Sequence, residues 1–166
     1  MSRWLVRLGL GAIALGLALW TWRVLFPGPE QIIRKHLAEV ARHASVKPNE
    51  SPLARLANSQ KLASFCTSDV EVAVDVPGRS SQLLSGRDDL FQAALAARSI
   101  MTNLKVKFLD VSVVVAEDKQ SAVTRLTAEA NFPGEKLPEV QELKIIFRKV
   151  DRDWLISRAE TVKTLH

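Results

Sequence analysis

Two runs of apolar residues at every second position, between Leu104 and Phe132, constrain this chain more than any other feature. Val106, Phe108, Leu109, Val111, Val113 and Val115 mark the first run. Ala122, Thr124, Leu126, Ala128, Ala130 and Phe132 mark one face of the second. A period of two is the pattern of a half-buried strand. The polar stretch Glu117-Asp118-Lys119-Gln120 between the runs predicts a long β-hairpin. In the first run the apolar positions are even up to Phe108 and odd from Leu109. Strand side chains alternate faces, so an uncorrected switch of parity would turn the sheet inside out. An extra residue near Phe108-Leu109, a β-bulge, restores the facing and bends the strand. The alternative is a strand buried on both faces at its start.

The segment from Trp4 to Phe26 is almost wholly apolar. Its uncharged stretch between Arg7 and Arg23 is 15 residues long, against the roughly 20 that a bilayer asks of a helix. Val24, Leu25 and Phe26 lengthen it, and arginines at its ends can snorkel to head groups. Trp4, Trp20 and Trp22 stand where interfacial aromatics belong. Pro27-Gly28-Pro29 then breaks the helix. The reading is a single-pass anchor over residues 1–27 with its N-terminus in the cytoplasm, Arg3 and Arg7 setting the orientation. The domain, 28–166, is then extracytoplasmic, at the inner membrane of the cell. A cleaved signal peptide, with Gly16-Leu17-Ala18 as the small-residue site, is the rival; Trp20-Thr21-Trp22 just beyond that site argues against it. Three of the five net positive charges belong to Arg3, Arg7 and Arg23, ahead of the first acid, Glu30. The high isoelectric point is therefore no sign of nucleic-acid binding.

From Glu30 to Ala44, Ile33, Leu37, Val40, Ala41 and Ala44 form one apolar helical stripe. His36 and His43 on that helix are too far apart for one metal ion and are expected to be solvated. Ser51 and Pro52 open a second helix, whose apolar face is read as Leu53, Leu56, Ala57, Leu62 and Phe65. Val70, Val72, Val74 and Val76 mark a strand. Gln82-Leu83-Leu84 returns beside it. Ser85-Gly86-Arg87-Asp88 has the character of a capping box before a helix that ends near Ile100. Strands over 140–150 and 154–162 close the chain. Helices and strands in this order predict an α+β domain in which helices cover one face of a curved sheet. The lone Cys66 excludes an intrachain disulfide and any CxxC motif.

Three stretches carry a resemblance. They are Phe65-Cys66-Thr67-Ser68-Asp69-Val70-Glu71-Val72, Gly86-Arg87-Asp88-Asp89-Leu90, and Asp153-Trp154-Leu155-Ile156 with Arg158. From Glu30 to Val162 the chain resembles SnoaL-like members of the NTF2-like superfamily. The resemblance implies a cystatin-like cone, a mostly antiparallel sheet wrapped around about three helices. It spans isomerases, dehydratases, cyclases and non-catalytic binding or assembly modules, and a fold does not settle an activity.

The chain has no tyrosine, which excludes the phenolic donor of steroid-isomerase-like relatives. Asp75 and Asp110 are the candidate general bases, Asp110 because it adjoins the expected bulge. Arg158, at period two from Trp154 and Ile156, is the candidate anion-binding group if that face is the inner one. Ala128 and Ala130 would leave room for a ligand in the cone, and Trp154 would line it. Arg125, Glu129, Arg158 and Glu160 are otherwise expected as cross-strand ion pairs on the solvent face. No cofactor or metal site is expected. The leading expectation is a non-catalytic module that binds a second copy, a partner protein or a small apolar ligand. The alternative is a small-molecule isomerase or hydrolyase using Asp75 or Asp110.

Overall fold

The computed structural model describes Gly16 and residues 27–74, 82–134 and 137–162. The expected anchor over 4–26, apart from Gly16, the candidate base Asp75, and the turn at Pro77-Gly78-Arg79 lie outside the described residues. Among the described residues no helix is long and apolar enough to cross a membrane.

The elements run α1 (Pro29–Ala44), α2 (Pro52–Ser64), β1 (Cys66–Val74), β2 (Gln82–Ser85), α3 (Arg87–Ile100), β3 (Lys105–Val115), β4 (Ser121–Asn131), β5 (Glu139–Val150) and β6 (Asp153–Thr161). The six strands form one sheet in the order β2-β1-β6-β5-β4-β3. Every neighbouring pair is antiparallel except β1 with β6, which is parallel. Helix α1 packs along β3 at one edge, α3 packs on β1 and β2 at the other, and α2 lies against both helices. The helices thus bridge the two edges of the sheet across one face.

The predicted hairpin is β3–β4. Its bulge is present, one position later than the apolar pattern suggests. Leu109 pairs with Thr127 and Ser112 with Arg125, which leaves one extra residue on β3. Asp110 absorbs it at φ 51°, in the left-handed region that short polar side chains tolerate best. Val106 and Phe108 before the bulge, and Val111, Val113 and Val115 after it, therefore face inwards, while Leu109 is exposed. A second bulge lies on β6. Ile146 pairs with Arg158 but Phe147 with Ile156, so Ser157 is the extra residue. Bulges bend strands, and two on strands that flank β4–β5 curl the sheet over the helices.

A buried apolar cluster occupies the centre of the enclosed space. Ile33 and Leu37 of α1, Val70 of β1, Phe147 of β5, and Trp154 and Ile156 of β6 form its centre, each no more than 5% exposed. Two local expectations are corrected. Gly86, at φ 96°, stands at the N-cap of α3 with no side-chain cap, because Ser85 is still in the strand; only glycine adopts that angle without strain. The inward face of α2 is Ser59, Leu62 and Ala63, whereas Leu53, Leu56 and Ala57 point to solvent. Ser51 does cap α2, accepting from the Ala54 N–H at 3.2 Å.

The long edge strand β3 is covered in part. The Val46 N–H donates to the Leu104 carbonyl at 2.8 Å. Ser45 Oγ accepts from the Val106 N–H at 3.0 Å, and Arg34 donates to the Val111 carbonyl at 2.6 Å. Edge groups satisfied from α1 offer little to a foreign strand.

Candidate functional site

Facing away from the helices, the sheet presents alternating residues of β4, β5 and β6 that the core does not use. Arg125 lies opposite Lys144, and Lys144 opposite Glu160. Thr127 lies opposite Glu142. Together with Asp110 at the β3 bulge they line an open trough of about 650 Å³. Lys144 donates to Glu160 at 2.8 Å, and Arg158 donates to the same carboxylate at 3.0 Å. The hydrogen bond from Lys144, then its charge and that of Arg158, hold Glu160 below the usual carboxylate range. Beyond the trough, hydrogen bonds from Asn131 and Lys107 do the same for Glu129. Arg158 also reaches Glu71 at 3.5 Å. Of the expected cross-strand ion pairs on the outer face, those of Glu129, Arg158 and Glu160 are present and that of Arg125 is not. Among the described residues, Arg125 and Asp110 have no ion-pair partner.

The bulge at Ser157 decides where Arg158 points. Trp154 and Ile156 face the core, and an unbroken strand would have sent Arg158 after them. The extra residue turns Arg158 outward and puts Ala159 inward, opposite Ile145. Trp154 is 3% exposed within the core. Ala128 and Ala130 sit half-buried on the inner face of β4, Ala128 packed against the core. The sequence candidates are thus divided by the sheet: Asp110 and Arg158 on its outer side, Trp154, Ala128 and Ala130 on its inner side.

A second polar centre, which periodicity did not reveal, ties the three helices together. Arg98 of α3 is 3% exposed and the side chain of Glu50, in the α1–α2 loop, 5%. The guanidinium donates to both Glu50 oxygens at 2.9 and 2.8 Å, and also to the carbonyls of His43 and Ser45 at the end of α1. Asn58 of α2 donates to Glu50 at 2.5 Å. Its amide oxygen therefore faces His43 Nδ1 at 3.0 Å, which requires the proton on Nδ1. Each member is satisfied, the condition under which a buried ion pair is tolerated. A cavity of about 590 Å³ opens beside the cluster, with Arg42, Lys47, Asn49 and Lys105 on its wall. The one sequence trace of it is the alignment of Arg98 with Phe91, Ala94 and Leu95 on the packed side of α3, which does not by itself distinguish a buried guanidinium from one that reaches water.

The histidines are not solvated as expected. His36 sits edge-on to Phe65, ring centres 4.9 Å apart. Among the described residues its buried Nδ1 meets no hydrogen-bond partner. Burial pulls its pKa below the usual value of 6.5, against the opposing pull of Asp153. Burial also pushes the Cys66 thiol up to about 11, which leaves it unreactive. Among the described residues no cluster of three or more His, Cys, Asp or Glu side chains could hold a metal ion.

No family model matches the chain, and no curated protein matches it. Solved structures do. One is an NTF2-like protein with a cystatin-like fold from Novosphingobium aromaticivorans, 18% identical, with a TM-score of 0.58 over 90% of this chain and 86% of that one. Another is a Nostoc punctiforme domain of unknown function with a cystatin-like fold, 14% identical, at 0.63 over 85% and 80%. A third is a scytalone dehydratase-like protein from Novosphingobium aromaticivorans, 16% identical, at 0.56 over 82% and 84%. Likeness at such identities establishes the fold: an NTF2-like, cystatin-like α+β cone, with a mixed six-stranded sheet and three helices among the described residues from 27 onward.

Proposed function

We propose that this NTF2-like cone is a non-catalytic binding or assembly module, held at the outer surface of a cytoplasmic membrane by residues 4–26. It engages a second copy or a partner protein through the outer face of its sheet. The observation that carries this reading is the division of the molecule by the sheet. The inner side carries the buried core of Phe147, Trp154, Ile33 and Leu37. Arg125, without an ion-pair partner among the described residues, stands with Lys144, Glu142 and Glu160 in an open trough on the outer side. Catalysis by a carboxylate with a raised pKa asks for burial among apolar groups, and Asp110 is exposed. An open trough bearing both signs of charge suits recognition of a complementary protein surface.

One observation favours the enzyme reading as a second choice. Asp110 holds a positive φ at the rim of the trough, and strained backbone gathers at active sites. Under that reading Asp110 or Asp75 is the general base of an isomerase or hydrolyase.

The test is complementation of a chromosomal deletion by full-length variants, combined with site-specific photo-cross-linking from the position of Val123 on the outer face. Arg125→Glu with Lys144→Glu is expected to abolish both the cross-linked species and complementation. Asp75→Asn and Asp110→Asn are expected to leave both unchanged. Loss of complementation by either Asn variant, with the double charge reversal harmless, overturns the binding reading. Alkaline carbonate extraction of the same cells tests the tether. The full chain is expected in the membrane pellet, and its release into the supernatant refutes the anchor.

A further inference from the structure

Helices α1 and α2 carry outward side chains that the fold leaves unused. The two run antiparallel. His43, late in α1, meets Asn58 in α2 at 3.0 Å, and Ile32 and Lys35, early in α1, share a groove with Lys61 late in α2. Opposite the buried Ile33, Leu37 and Val40, α1 exposes Gln31, Lys35, Ala38 and Arg42. Ile32 stands on the α2 side of that stripe and is 38% exposed. On α2 the outward stripe is Leu53, Leu56, Ala57 and Gln60, with Leu53 75% exposed and Leu56 43%; Leu56 and Gln60 border a groove shared with Phe91 of α3. Both stripes follow helical spacing. Helix α2 is inverted for a soluble protein, with Ser59 fully buried and Leu53 in solvent.

The charges near these stripes are mostly of one sign. Lys35, Arg42, Lys47 and Lys61 are exposed, with the half-buried Glu39 paired to Arg42 and, at the α3 side of Leu56, Arg87 and the exposed Asp88. The outer sheet face instead mixes Arg125, Lys144 and Arg158 with Glu71, Glu142 and Glu160. Apolar side chains rimmed by lysine and arginine match an anionic lipid surface, where the chains enter the head-group layer and the cations meet phosphates. The position of the apolar segment supports that occupant. Only Pro27 and Gly28 separate residues 4–26 from the first turn of α1, so a bilayer that holds the segment lies next to that helix.

We infer that the α1–α2 face lies flat on the anionic surface of that same bilayer. Ile32, Leu53 and Leu56 sit at head-group level, and Lys35, Arg42 and Lys61 contact the phosphates. The inference rests on the membrane-tethered reading and deepens it: the sheet is turned away from the lipid, and its outer trough is presented to the partner.

The test uses the full-length chain reconstituted in phosphatidylcholine vesicles, with and without phosphatidylglycerol. A fluorophore is placed on Ala38→Cys, Leu53→Cys or, as the sheet-face control, Val114→Cys; the buried Cys66 does not compete for the label. Brominated lipids are expected to quench the first two positions several-fold more than the third, and only with phosphatidylglycerol present. Lys35→Glu with Lys61→Glu is expected to remove that quenching while the chain still floats with the vesicles. Equal quenching at all three positions overturns the inference. So does shielding of Leu53→Cys from both brominated lipid and aqueous iodide, which would mean that residues 4–26 cover the face themselves. A chain that floats with Leu53→Cys unquenched sinks the docked face alone, whereas a chain that does not float defeats the tether as well.

Discussion

At Arg98 four hydrogen bonds converge on a side chain that water hardly reaches. Removing one member of a buried ion pair strands the other, which costs about 3–5 kcal/mol. Arg98→Met should therefore lower the unfolding free energy by about that amount in urea titration. Arg98→Met combined with Glu50→Met should cost less than the two single changes added together, since neither charge is then left alone. Additive losses would show that the pair is not coupled. His36 makes a prediction of opposite chemical origin. Its folded-state pKa lies below 6.5, so the unfolded chain binds the proton more readily. Stability is then full above about pH 6.5 and falls as the pH drops through that value towards the lower folded pKa. His36→Gln should flatten part of that slope in thermal melts between pH 7.5 and 5, relative to wild type at the same pH, the sampling range being approximate. An unchanged slope would mean that His36 does not resist protonation. Neither role was legible in the sequence. Periodicity places Arg98 and His36 near buried stripes, but long and ring side chains can equally lie across such a stripe with their polar ends in water.

Among the elements, β3 shows how far a hydrophobic pattern reads backbone geometry. The change from even to odd apolar positions pointed to an extra residue rather than a strand buried on both faces, and Asp110 is that residue at φ 51°. Asp110→Gly should be neutral or stabilising by up to about 1 kcal/mol, because glycine enters the left-handed region without penalty. Asp110→Val should cost about 1–2 kcal/mol, read by chemical denaturation. Equal stability of the two variants would mean that the positive φ is not enforced by the ladder. The bulge on β6 left no such trace. Trp154, Ile156 and Arg158 keep period two, and Ala159, the residue that takes the inward place, is too small to announce itself. The cap of α3 misled for a related reason. A serine three residues before an acid fits a capping box, but pairing of Ser85 with Glu71 holds it in β2 and passes the cap to Gly86.

In the whole molecule, the helices close the cone from edge to edge of the sheet, and Phe147 sits at the centre of what they enclose, 1% exposed. Phe147→Ala should cost about 3–5 kcal/mol, measured by denaturant unfolding. A loss below about 1 kcal/mol, well under that range for buried aromatic truncations, would mean that the cone has room to spare and would revive a ligand cavity. The element order, the α1 stripe, the long hairpin and the preference for a bulge could all be read from the residues, because these depend on local periodicity and on turn-forming residues. Which face each functional candidate joined was left to long-range pairing. A single extra residue on β6 reverses every side chain after it, and only pairing with β5 determines where that residue sits. Contact between helices distant in sequence likewise brought Arg98, Glu50, Asn58 and His43 into one buried cluster.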